Sequence, residues 1–298
     1  MKVAVTGATG FLGRYIVNHL LGNGHRCRCW YRPRSDRGGF AESDGAKIEW
    51  LPGELGDPQA AQLLVDGADA VVHSALQHGG GRFRATGDDL MSFVEANLLG
   101  TLRLIQAARR ANAGRFIFIS TCAVHDVILQ DRPLDETHPL WPKSHYGAHK
   151  AAIEKFVHSF GLGEGYDICS LRPTGIYGLA RPASSSKWYK LVHEVKAGRP
   201  VESAAGGKEV HAADVANAVG ILLTASGIAG QAYNCYDMYV SDEMVARIAA
   251  RLTGSDSSIS SINAGPRNQI DTGKLRTLGM TFGGQALLEH TVREMLAG

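Results

Sequence analysis

Thr6-Gly7-Ala8-Thr9-Gly10-Phe11-Leu12-Gly13 is a run whose chemistry is set by its neighbours. Before it, Val3, Ala4 and Val5 read as a buried strand. After it, Phe11, Leu12, Tyr15, Ile16, Val17, Leu20 and Leu21 recur at helical spacing until Gly22 and Gly24 stop them. A glycine-rich turn between strand and helix is a dinucleotide phosphate loop. One glycine permits the tight turn, one lets the backbone approach a pyrophosphate, one allows close helix–strand packing, and the phosphates face the helix N-terminus. A second reactive pair is Tyr146 and Lys150, four apart and therefore on one helix face. Upstream, Ser120 and Thr121 end a buried strand, and the carboxyl ends of parallel strands open on the cofactor crevice.

Strand-like and helix-like segments must alternate to bring these groups together. Strands are expected at Arg26 to Tyr31, Ile48 to Leu51, Ala70 to His73, Phe116 to Ser120 and Ile168 to Leu171. Helices are expected at Pro58 to Val65, Asp88 to Ala111 and Tyr146 to Phe160, with Thr86 and Asp89 spaced for a capping box on the long one. This is the pattern of a parallel sheet covered on both faces. Beyond Arg172-Pro173 the pattern loosens into a smaller lobe, expected from residues 176–206 and 233–298. Asp214 to Leu223 reads as a helix returning to the first domain, which spans 1–175 plus about 207–232.

Composition suits a chain of this kind: 298 residues, 44% hydrophobic and 20% charged, enough for a sizeable core. A net charge of +2 gives no basic footprint, so neither nucleic acid nor a membrane surface is implied as a partner. No apolar run approaches a membrane span, and the strand that begins within three residues leaves no room for a signal peptide, so a cytoplasmic protein is expected. Five cysteines without a CxxC pair suit reduced thiols, with Cys27 and Cys29 on the same side of one strand in the core.

Taken in order, TGATGFLG at 6–13, Gly53-Glu54-Leu55-Gly56-Asp57, Val72-His73-Ser74-Ala75 and Asn97 in NLLGT form the first half of a pattern. FIFIST at 116–121, YGAHK at 146–150, Leu171 to Gly178 and Val210 to Val215 complete it. The chain resembles, over nearly its whole length, an extended short-chain dehydrogenase/reductase of the NAD-dependent epimerase/dehydratase family. The resemblance implies an α/β fold: a Rossmann-type doubly wound parallel sheet with a smaller C-terminal substrate lobe. It implies cofactor contacts from Gly7, Thr9, Gly10, Phe11, Leu12, Gly13, Glu54, Leu55, Ala75, Tyr146, Lys150 and Pro173. It makes Tyr146 the general acid/base, which exchanges a proton with a substrate oxygen while hydride moves to or from nicotinamide. A free tyrosine has a pKa near ~10, and Lys150 beside it would favour the phenolate. Thr121 would hydrogen-bond the reacting oxygen, with Ser120 as the alternative one register away, and Asn97 would support the lysine region directly or through water.

Cofactor choice turns on the end of the second strand, Trp30-Tyr31-Arg32-Pro33-Arg34-Ser35-Asp36-Arg37. Arg32 stands where an acid would hold the adenosine ribose, and arginine binds phosphate bidentately, so NADP(H) is favoured over NAD(H). Asp36 could serve a ribose if the loop folded differently. Relatives that handle nucleotide sugars often carry an arginine before the equivalent of Val210 to Asp214; here the approach is Gly206-Gly207-Lys208-Glu209. The glycine-rich loop from Gln77 to Arg84, and Arg181, Lys187, Trp188 and Tyr189 in an expected lid, are candidates to line the substrate pocket. His145 and His149 share a helix face, but no third ligand completes a zinc site, and no metal is expected. His73 and His125 read as packed or strand-end histidines.

Three readings follow: a reductase or dehydrogenase exchanging NADP(H) and acting on a small alcohol or carbonyl compound; a nucleotide-sugar epimerase or dehydratase with retained NAD; and a non-enzymatic nicotinamide sensor. Likeness to relatives also implies a homodimer through the helices at 88–111 and 146–160.

Overall fold

The computed structural model describes residues 1–77, 89–261, 265 and 267–297. The first half runs β1 (Lys2–Thr6), α1 (Phe11–Gly22), β2 (Arg26–Tyr31), β3 (Ile48–Pro52), α2 (Pro58–Val65) and β4 (Ala70–His73). It continues through α3 (Leu90–Val94), a π turn (Glu95–Leu99), α4 (Gly100–Arg110), β5 (Arg115–Ile119), α5 (His145–His158) and β6 (Ile168–Pro173). The second half comprises β7 (Gly175–Tyr177), α6 (Tyr189–Lys196), β8 (Val201–Ser203), β9 (Gly206–His211), α7 (Ala212–Thr224) and β10 (Gln231–Cys235). It ends with β11 (Met238–Ser241), α8 (Asp242–Thr253), β12 (Ile259–Ser261), α9 (Gly273–Arg276) and α10 (Gly284–Ala297).

Seven strands form one parallel sheet in the order β3-β2-β1-β4-β5-β6-β10. Its two faces follow from the two-residue period of a strand. Val3, Val5, Val72, Ile117 and Ile119 point into a core shared with Ile16, Val17, Leu20, Val215 and Val219 of α1 and α7. Ala4, Val71, Phe116 and Phe118 point the other way, against Leu64 of α2, Leu104 and Ile105 of α4, and Ile153 and Val157 of α5. A third core joins α6, α8 and α10 through Val192, Val195, Val245, Ile248, Leu288 and Val292. The strand and short-helix expectations thus meet the structure, and the chain is an α/β protein with a Rossmann-like doubly wound sheet.

Two expected segments differ. The expected helix at 88–111 begins at Leu90 and is interrupted by the π turn. Thr86 lies outside the described residues, and Asp89 caps the helix itself, its carboxylate accepting from the Ser92 amide at 2.9 Å. Beyond residue 232, β10 still belongs to the main sheet, and Leu275 and Met280 bury into the same core as Tyr233 and Cys235. The edge strand needs that cover, because a parallel sheet is apolar on both sides.

Candidate active site

The cleft opens where the sheet order reverses, outside the carboxyl ends of β1 and β4, the place at which doubly wound sheets bind ligands. It measures about 1360 Å³. Gly7, Thr9, Gly10, Phe11, Leu12 and Gly13 line one end, Arg32, Arg34, Asp36, Glu54 and Leu55 extend that wall, and Ala75, Thr121, Tyr146, Lys150 and Pro173 line the other. Of the catalytic and cofactor residues named from the sequence, Asn97 alone stands outside the wall.

The phosphate loop is built by close backbone approach. Gly7 has φ +73°, where an L side chain is strained, and a Cβ on Gly13 would fall 1.9 Å from the Gly7 carbonyl oxygen. Gly10 caps α1 without a side-chain acceptor, and no acid sits in the first turn. The positive end of α1 therefore faces the cleft with no acid in its own first turn, a cradle that fits a pyrophosphate.

Beneath the loop, a buried polar chain fixes the end of β4. Thr101 Oγ1 donates to the Asn97 carbonyl at 2.6 Å, so it accepts from His73 Nε2 at 2.8 Å. Neutral His73 then accepts at Nδ1 from Thr6 Oγ1, 2.6 Å away, and Thr6 Oγ1 accepts from the Ala75 amide at 3.2 Å. Burial, with Lys150 and His149 nearby, pulls the His73 pKa down to about 3, which keeps this tautomer neutral. His73 is thus a packed strand-end histidine, as expected.

At the opposite wall, β5 ends in Ser120 and Thr121 and α5 presents Tyr146 and Lys150. Tyr146 is 5% exposed. Lys150 Nζ donates to the Ile119 carbonyl at 2.7 Å and lies over the Phe118 ring. Burial pulls its pKa down to about 7 against the opposing pull of the Glu154 carboxylate. Thr121 Oγ1 accepts from the Ala123 amide at 3.1 Å, which leaves its hydroxyl hydrogen for the cleft. Ser120 Oγ instead donates to Glu154 Oε1. Both Glu154 oxygens also hold Arg172, with Nε 3.0 Å from each, and the side chains of this pair are 1% and 2% exposed. The ion pair went unread in the sequence, although Tyr146, Lys150 and Glu154 recur at four-residue spacing.

Several expectations are redirected. Asn97 Oδ1 accepts from the Gln77 amide at 2.8 Å, and its Nδ2 donates to the Gln77 and Phe93 carbonyls. Through these bonds it clamps the chain after β4. Asp36 is engaged by Arg14 and Arg181 and by the Gly38 amide, so it does not offer a free acid to a ribose. Arg181, Lys187, Trp188 and Tyr189 stand off the cleft wall: Arg181 pairs with Asp36, Lys187 with Glu209, and Trp188 donates to Asp242. The loop from 78 to 84 lies outside the described residues. His125 is buried at the cleft with Nδ1 against the Pro139 carbonyl, and His149 packs edge-on to Phe93.

A dTDP-glucose 4,6-dehydratase of Streptomyces antibioticus is 32% identical over 189 residues, 60% of this chain and 54% of the relative. A 3 beta-hydroxysteroid dehydrogenase/Delta 5-->4-isomerase of Mycobacterium tuberculosis is 30% identical over 184 residues, 59% of this chain and 47% of the relative. The chain thus spans about half the length of these curated relatives. In fold, it superposes on a dTDP-glucose 4,6-dehydratase of Streptomyces venezuelae solved with NAD, with a TM-score of 0.80 at 24% identity over 100% of this chain and 98% of that one. A UDP-glucose 4-epimerase of Thermus thermophilus in complex with NAD gives 0.79 at 23% identity, covering 100% of both. Because the profile of the NAD dependent epimerase/dehydratase family matches residues 3–235, a span that includes the phosphate loop, Tyr146 and Lys150, the chain belongs to that family.

Proposed function

We propose that the chain is a nicotinamide-dinucleotide-dependent oxidoreductase that exchanges hydride with a small alcohol or carbonyl substrate, with Tyr146 as general acid/base. The observation that carries this is the meeting of Thr121, Tyr146 and Lys150 on the wall of the same cleft that the phosphate loop closes at its other end. The bound nicotinamide would supply the hydride chemistry. Tyr146 moves the proton at the substrate oxygen, Lys150 holds positive charge beside it, and Thr121 donates a hydrogen bond to that oxygen. Gly7 to Gly13 would hold the pyrophosphate, with Glu54, Leu55, Ala75 and Pro173 beside the rings.

For the cofactor we propose NADP(H) over NAD(H). Arg32 and Arg34 line the cleft after β2, and Asp36, the acid within reach, is already held by Arg14 and Arg181. The five cysteines are free thiols, which supports a reducing, cytoplasmic setting, and none of the described helices is long and apolar enough to cross a membrane. A homodimer through α3, the π turn, α4 and α5 is proposed from their exposed Met91, Leu99 and Phe156.

The experiment is to denature purified protein, identify any released nucleotide, and titrate emptied protein with NADPH and NADH by fluorescence. Tighter binding of NADPH, reduced about ten-fold or more in Arg32→Glu, is expected. Release of retained NAD would instead favour an epimerase or dehydratase.

A further inference from the structure

We infer that the substrate end of the cleft is built for a carboxylate-bearing alcohol or carbonyl compound with an aliphatic or alicyclic body, Lys208 taking the carboxylate while Tyr146 meets the reacting oxygen. This rests on the oxidoreductase reading above and names its substrate class. Past Tyr146, the described wall carries the apolar Ala123, Ile128, Leu134, Ile176 and Ile270 alongside the polar His125, Asp126 and Thr174. In that stretch Lys208 is the cation, and its ammonium makes no ion pair or hydrogen bond among the described residues. Burial of its side chain lowers its pKa against a smaller opposing pull from Cys122, so the ammonium is held partly out of water.

The chain had an obvious way to neutralise Lys208 and does not use it. Glu209 follows it on β9, so the two side chains leave opposite faces of the strand. Glu209 is buried and committed to Lys187, its Oε1 2.5 Å from Nζ. Arg181 and Lys187, the basic residues of the expected lid, are paired within the chain. Among the described residues of this stretch Lys208 offers a single ammonium, which suits one carboxylate, whereas a diphosphate is held best by several cations. The cleft, about 1360 Å³, exceeds the ~300–1,000 Å³ of a site for one small ligand and so has room for a cofactor and a compact substrate together.

The chemistry balances without the carboxylate reacting. In the oxidative direction the carbinol C–H bond breaks, its electron pair leaves as hydride to the oxidised nicotinamide, the hydroxyl proton passes to the Tyr146 phenolate, and a C=O bond forms. The carboxylate stays an anion against Lys208 throughout.

The test uses unreactive probes on the whole chain, with and without NADP(H): octanoate, its neutral isostere octanamide, and UDP-glucose, titrated calorimetrically. Octanoate should bind at least about ten-fold tighter than octanamide, and UDP-glucose no tighter than octanamide. Lys208→Met should erase the preference by weakening octanoate alone, whereas Lys208→Arg, which keeps the charge, should retain it. Equal binding of octanoate and octanamide, a preference that survives Lys208→Met, or UDP-glucose binding tighter than octanoate would overturn the inference. If nicotinamide nucleotides bind and the acid preference is absent, this inference fails and the oxidoreductase reading stands. If no nucleotide binds, the oxidoreductase reading fails, and the octanoate comparison still reports on Lys208.

Discussion

In the proposed mechanism Tyr146 is the base, a weak one on its own, and depends on the residues around it. Lys150, one helical turn on, is anchored to the Ile119 carbonyl and buried, so its charge acts in a poorly screened setting. Tyr146→Phe removes the hydroxyl proposed to carry the proton and keeps the ring. Hydride transfer should fall by about 100-fold or more, while nucleotide affinity stays within about two-fold, compared by stopped-flow absorbance and by fluorescence titration. Equal loss of binding and rate would assign Tyr146 to cofactor binding instead. Tyr146 and Lys150 were legible because their spacing is local to one helix. Glu154 shares that spacing, but its partner Arg172 comes from β6, and only the sheet brings the two into one buried pair. The pair in turn occupies the Ser120 hydroxyl, which is why Thr121 is the hydroxyl left to the cleft.

Among the elements, α1 shows how a residue's cost depends on what lies against it. Gly13 and Gly22 belong to the same helix. A Cβ at Gly13 meets the backbone of the phosphate loop, whereas one at Gly22 meets nothing within 4 Å. Gly13→Ala should therefore cost about 2–3 kcal/mol and weaken nucleotide binding, and Gly22→Ala should gain about 0.5–1 kcal/mol and leave binding alone. Urea unfolding with an unchanged slope would check both, and equal effects at the two positions would sink the packing argument. Strand and helix positions were readable from hydrophobic period along most of the sheet. The π turn was not: an extra residue per turn leaves the apolar pattern of Phe93, Leu98 and Leu102 nearly helical. Its effect lies in side chains, since Asn97 sits within it and reaches Gln77 across from β4.

At the scale of the whole molecule, buried histidines tie stability to pH. His73 and His149 are pulled down to about 3, and His125 and His211 to about 4, chiefly because burial disfavours their charged forms. Unfolded histidine titrates near ~6.5, so below that pH the unfolded chain binds protons that the folded chain refuses. Stability from these groups is full above about pH 6.5 and is lost as pH falls towards 4. The thermal midpoint should drop steeply across that window, and His73→Gln should flatten the drop; a midpoint independent of pH between 6.5 and 4 would refute it. Assembly is a second property of this scale. Phe156→Glu on the exposed face of α5 should convert a dimer to monomer in sedimentation with the fold retained, and a wild-type monomer would rule out the proposed interface.

By itself the sequence determined the alternation of strand and helix, the phosphate loop, and the Tyr146–Lys150 pair, because each is written in contiguous residues whose periods and turns obey local sterics. Tertiary structure decided which polar groups remain available. Asp36, Arg181, Lys187, Ser120 and Asn97 look equally reactive in the sequence, yet each is consumed by a partner far along the chain. Lys208 looks like an ordinary strand lysine and lines the cleft wall without a salt-bridge partner among the described residues. A charge buried without its partner is costly, so folding pairs nearly all of them, and the pairing depends on strand order and register that no local pattern encodes.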